Sequence, residues 1–191
     1  MPTDHALCGL VALSKKTPLQ RVKEDEKLLE KIMLAVPGFK GYKEKEQRRE
    51  ADKLIRNFIY SRLHEARNDL QDIYQAIADS RTSEDLHPID QLTAVFDRVS
   101  EKVNHASYGY AGFFDAVKIE EDDLDRMIDF ETQLVNGAKG LAQRVQDFKD
   151  EVQAGKLDNL QAFETELRKT VEEFEKTFDK RKNSIEEVEF D

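Results

Sequence analysis

Tryptophan is absent from this chain, cysteine occurs once, and 191 residues carry only four prolines and eight glycines. Cys8 alone allows no intramolecular disulfide, which suits a reducing compartment. So few prolines and glycines leave few points at which a helix must stop. Long apolar runs are also missing. The longest, Ala6 to Leu13, has eight residues, whereas a membrane span needs roughly 20. Asp4 precedes that run and Lys15-Lys16 follow it, which is not the order of a secretory leader. The expectation is a cytoplasmic protein.

Motifs of nucleophilic and nucleotide chemistry are missing as well. The chain has no Gly-x-Ser-x-Gly elbow, and its Gly109-Tyr110-Ala111-Gly112 lacks the Lys-Ser/Thr that would make a phosphate cradle. Glu84 and His87 have the Glu-x-x-His spacing of a di-metal bundle, without a second copy. His5 and Cys8 have too few neighbours for zinc. Glu120-Glu121-Asp122-Asp123 lacks the alternating ligands and central glycine of a calcium loop. No cofactor, metal or catalytic residue is expected, and a metal-dependent enzyme built on bundle carboxylates is the weakest reading.

What is present is charge and helical periodicity. Charged residues make up 37% and apolar ones 39%, with a net charge of −10. Such a balance disfavours non-specific nucleic-acid binding and suits long helices with narrow apolar stripes. Thr17-Pro18-Leu19-Gln20 reads as a capping box with proline at the first helical position. It opens a short helix that Pro37-Gly38 ends, and residues 1–16 read as a flexible tail. From Tyr42 to Asp79, Ile55, Ile59, Leu63, Ala66, Leu70, Ile73 and Ile77 recur in steps of three and four. Pro88 opens a third helix, with Leu92, Val95, Phe96, Val99 and Val103 on one face.

A fourth helix spans about Glu121 to Ala154, with the heptad rows Leu134-Leu141-Phe148 and Ala138-Val145-Val152. Gly137 and Gly140 interrupt it and suggest close helix contact. Gly155 ends it, and Asp158 is a cap for the last helix, with the rows Leu160-Leu167-Phe174 and Val171-Phe178-Ile185. Beyond Phe178 the pattern thins toward Glu186-Glu187-Val188-Glu189. A period near 3.5 predicts coiled-coil-like, left-handed packing. The expected fold is all-α: an elongated bundle of four long helices plus a short N-terminal helix, in one domain over 17–191.

Two stretches stand out from this background. Lys40, Lys43, Lys45, Arg48, Arg49, Lys53 and Arg56 surround Phe39 and Tyr42 at the start of the long helix. They make a candidate anion-binding segment for a membrane surface or nucleic acid. Ala106-Ser107-Tyr108-Gly109-Tyr110-Ala111-Gly112-Phe113-Phe114-Asp115 concentrates Tyr108, Tyr110, Phe113 and Phe114 around two glycines. It reads as a packed corner or as a partner surface. A basic stretch at 40–67 and an acidic one at 115–131 read as two solvated helix faces, or as segments that pair within the molecule or between copies.

These two blocks, Gly41-Tyr42-Lys43-Glu44-Lys45-Glu46 and Ala106 to Ile119, resemble a family of small bacterial and archaeal helical proteins with no assigned activity. The resemblance implies a prokaryotic cytosolic helical protein and brings no catalytic residues with it. The reading from the residues themselves is a non-enzymatic interaction or scaffold protein, acting through protein–protein contacts or self-association.

Overall fold

The computed structural model describes residues 32–34, 36, 45–80, 86–106, 121–156 and 160–186. At 45–49, 121–125 and 182–186 it describes the backbone alone. Four helices carry the fold: α1 (Lys45–Asp79), α2 (His87–Asn104), α3 (Glu121–Gln153) and α4 (Leu160–Glu186). Among the described residues there is no strand.

Each helix follows from its pattern. The seam of α1, from Ile55 to Ile77, is buried along its full length. Ser80 stops the helix by turning its hydroxyl back onto the Ile77 carbonyl at 2.6 Å. Pro88 sits in the first turn of α2, Asp90 follows it, and Lys102 lies in the last turn, each charge matched to its end of the helix dipole. Gly155 closes α3 with φ +78°. Its N–H donates to the Val152 carbonyl at 2.9 Å, and the Lys156 N–H donates to the Glu151 carbonyl at 3.0 Å. This is the paired-bond C-cap for which glycine is preferred.

The helices occupy the corners of a square. α1 touches α2 and α3, and α4 touches α2 and α3, so α1 faces α4 across one diagonal and α2 faces α3 across the other. Bridges between them give the directions. Arg67 reaches Asp97 at 3.4 Å, and Arg56 bonds the Ala106 carbonyl, so α1 and α2 are antiparallel. The same holds for α3 and α4, where Arg144 meets Glu166 at 2.6 Å and Phe148 stacks on Phe163. Lys149 of α3 contacts both Asp69 and Asp72 of α1 at 2.7 Å, and Lys102 of α2 meets Glu175 and Asp179 of α4. These latter neighbours run parallel. The fold is therefore two antiparallel hairpins laid side by side in the same sense. α2 ends and α3 begins at the same end of the bundle, at opposite corners.

The apolar rows fill the space between corners. Phe96, Leu92 and Val103 of α2, Leu134, Ala138, Leu141 and Val145 of α3, and Leu167 and Val171 of α4 join the α1 seam in one core, with Ile32 and Val36 added to it. At roughly 25 cal/mol per Å² of apolar area, this burial is the main stabilising term. The ion pairs across the corners are mostly solvent-facing. Each contributes at most about 1 kcal/mol, so they serve register more than stability.

The two glycines of α3 differ. A Cβ at Gly137 would lie 3.0 Å from Cδ2 of Phe174, whereas one at Gly140 would meet nothing within 4 Å. Gly137 is thus where α4 comes close, while among the described residues the space beside Gly140 is open. Gly140→Ala should stabilise the fold by about 0.5–1 kcal/mol through helix propensity. Gly137→Ala should lose that gain against the Phe174 ring. Urea midpoints of the two variants check the contrast.

Glu175 is the best-held of the surface carboxylates. The Arg98 guanidinium, and after it the Lys102 ammonium, hydrogen-bond it and hold its pKa below the usual range, against the opposing effect of burial. Its stabilisation is therefore present above the unfolded pKa, about 4.3, and is lost as pH falls toward the depressed folded value. The stability gap between the protein and Glu175→Gln, measured by urea unfolding, should shrink steadily between about pH 5 and pH 3.

Candidate functional site

The site that the structure assembles lies at the end of the bundle where α1 and α3 begin and α2 and α4 finish. Asp52 of α1, Glu131 of α3 and Arg181 of α4 are all buried there. Arg181 donates through Nη2 to Oδ1 of Asp52, and through Nη2 and Nε to Oε1 of Glu131 at 2.7 and 3.2 Å. Asp52 is shared: Arg56 donates from Nε to its Oδ2 at 3.0 Å. A second Arg56 nitrogen donates to the Ala106 carbonyl at 2.9 Å, where the chain leaves α2. The Arg181 guanidinium also lies 5.8 Å from the centre of the Phe178 ring.

Among the described side chains, two guanidinium groups and two carboxylates cancel in charge. That balance is what allows them under the surface, because one uncompensated charge there would cost several kcal/mol. Three helices contribute side chains, and the chain just past α2 contributes a backbone carbonyl. Among the described residues the backbones of α1 and α4 stay apart, and Arg181 bridges their diagonal. Chemically this is a structural knot, since Asp52 through both oxygens and Glu131 through Oε1 accept from guanidinium donors. Ser100 and Thr132, also buried, return their hydroxyls to the Phe96 and Ile128 carbonyls of their own helices at 2.7 Å.

These positions were not among the candidates read from the sequence, although a signal for them existed. Extending the α3 row Ala138-Val145-Val152 back by one heptad lands on Glu131. Extending Leu160-Leu167-Phe174 forward lands on Arg181, and three residues before Ile55 lies Asp52. Three apolar seams each end in a charge, and all three ends coincide in space.

Of the candidate anion-binding residues, Lys40 and Lys43 lie outside the described residues. Lys45, Arg48 and Arg49 fall on α1 without described side chains. Lys53 is exposed, while Arg56 is turned inward onto Asp52 and Ala106, so the structure does not bring these two together on one surface. Tyr108, Tyr110, Phe113 and Phe114 lie outside the described residues, and so does the choice between corner and surface. Of the acidic stretch, Asp129 is exposed and Glu131 is buried against Arg181 of α4. Among the described residues no cluster of three His, Cys, Asp or Glu side chains could hold a metal ion, and no helix is long and apolar enough to cross a membrane.

A second feature lies on the outside, between the parallel helices α1 and α3. A groove of about 470 Å³ is lined by Phe58, Arg62, Glu65 and Asp69 from one side, and by Lys139, Ala142, Gln143 and Gln146 from the other. Phe58 and Ala142 form its apolar floor, half-buried against the core. The Arg62 guanidinium carbon stands 5.3 Å and Lys139 Nζ 5.8 Å from the centre of the Phe58 ring, within the range of cation–π attraction. Asp69 is held by Lys149, and Glu65 accepts a hydrogen bond from Arg62 at 2.7 Å. Lys139 makes no ion pair among the described residues, so the groove keeps one cation unanswered.

No protein-family model, curated protein or solved structure matches this chain.

Proposed function

We propose that this chain is a non-enzymatic interaction protein of the cytoplasm, built as four long helices with coiled-coil-like packing after a short N-terminal helix, and that it works by offering a helical face to a protein partner or to a copy of itself. The observation that carries this reading is the α1–α3 groove. Side chains fill the bundle interior, whereas here two parallel helices leave a half-buried ring and an unanswered ammonium facing out. An apolar floor with a charged rim is the usual anatomy of a protein contact, and an aromatic flanked by cations is the kind of anchor on which contact energy concentrates.

The test is a photo-crosslinking side chain placed at Gln143, beside the groove, in the full-length protein in native lysate. A discrete cross-linked protein that disappears with Lys139→Glu is expected, because a reversed charge repels the carboxylates that Lys139 would attract. Equal labelling with and without that substitution, or no discrete product, would sink the reading.

A further inference from the structure

The groove has stated requirements. It wants an apolar group for Phe58 and Ala142, and carboxylates for Lys139 and the open side of Arg62. A chain with charge −10 has many acidic segments, but the apolar residues of its described helices are mostly taken up by the core. The stretch after α4 is different. Glu187-Val188-Glu189-Phe190-Asp191 alternates acidic and apolar residues without a break. In extended form such a segment can turn Val188 and Phe190 to one face, with Glu189 and Asp191 flanking Phe190 along its edges, where long cationic side chains at a rim can reach them.

Resting on the interaction reading above, we propose that the α1–α3 groove takes residues 187–191 of a second copy of this chain. Phe190 lies against Phe58 and Ala142, and the alternate carboxylates meet Lys139 and Arg62 at the rim.

Geometry excludes the same copy as donor. Arg181 is level with Glu131, and α4 continues five residues further to Glu186, away from the groove. Lys139 lies eight residues from Glu131 in the opposite direction. At 1.5 Å per residue, Glu186 and Lys139 are separated by about 20 Å along the bundle alone. Four extended residues from Glu186 to Phe190 cover at most about 14 Å, before any sideways path around α3. The segment can satisfy the groove only between molecules. Mutual exchange closes a dimer, and one-way exchange continues into a chain of copies.

The full-length Phe190→Ala protein, whose groove is free of its own copies' aromatic anchor, is titrated with a fluorescent peptide carrying the sequence of residues 184–191. Anisotropy should show saturable binding that weakens about tenfold or more in the Phe190→Ala, Lys139→Glu double variant and recovers with arginine at 139. A Phe190→Ala peptide should not bind. In sedimentation, the unaltered protein should exceed the mass of one chain, and Phe190→Ala should not. Lys139 is exposed, so its substitution tests the surface without unfolding the bundle, which circular dichroism confirms. A single-chain mass for the unaltered protein, or peptide binding indifferent to residue 139, would overturn the proposal. A Lys139-dependent cross-link to some other protein would leave the interaction reading standing while this one failed; loss of every cross-link would remove both.

Discussion

Arg181→Ala should cost about 3–5 kcal/mol of folding stability, because it takes a shared guanidinium away from two carboxylates under the surface. Asp52 and Glu131 are each about 1% exposed at the side chain. Without Arg181, Glu131 loses the two hydrogen bonds to that guanidinium, and Asp52 retains Arg56. Against a total stability of about 5–15 kcal/mol for a single domain, that loss would leave much of the protein unfolded at moderate temperature. The informative control is the double change Glu131→Met, Arg181→Met, which removes one charge of each sign and leaves Asp52 with Arg56. Replacing buried ion partners by apolar groups of similar size is often neutral or stabilising by about 1–4 kcal/mol. The single variant should therefore be much less stable than the double variant, which keeps fewer native contacts. Urea unfolding followed by circular dichroism measures both. A mild effect of the single change would mean that water reaches the cluster.

Phe96→Ala is the second large effect, expected at about 3–5 kcal/mol. Its ring is fully buried on α2, the shortest of the four helices. Ile89, Leu92, Val99 and Val103 share that face, so α2 has little other surface with which to hold its corner. The cavity would open between two hairpins whose separate backbones cannot easily collapse onto it. Thermal unfolding should show a lower midpoint with the helical signal of the folded state unchanged. Leu at the same position, which retains much of the volume, should recover over half of the loss.

Most of the helical layout was legible in the sequence because it rests on periodicity. The steps of three and four from Ile55 to Ile77 require a single buried face, and the heptad rows of α3 and α4 require two more. Pro88 and Gly155 act as the ends they announce. The arrangement of the helices was not legible. Short loops show that α1 pairs with α2 and α3 with α4, but nothing local says that α1 and α3 run parallel as neighbours. That depends on contacts about eighty residues apart, such as Lys149 with Asp69. The groove follows from the same pairing, since Phe58 and Lys139 have no relation in sequence until their helices are set side by side. The ion cluster was half legible: the seams pointed to Asp52, Glu131 and Arg181, but charged residues at the end of an apolar row read first as a solvated helix end. Gly137 and Gly140 were both read as suggesting close helix contact, and among the described residues it is Gly137 that meets a neighbour, Phe174.

The tie between Asp52 and Arg181 joins residues 129 positions apart, and this gives the chain a built-in order of completion. As the protein is made from its N-terminus, Asp52 and the first hairpin exist well before their counter-charge on α4. Until α3 and α4 follow, the apolar faces of α1 and α2 lack the residues that cover them in the finished core. A chain interrupted before α4 also lacks the guanidinium that Asp52 and Glu131 share, and chains with exposed apolar surface are those that cellular quality control triages. The last helix thus closes what the first begins.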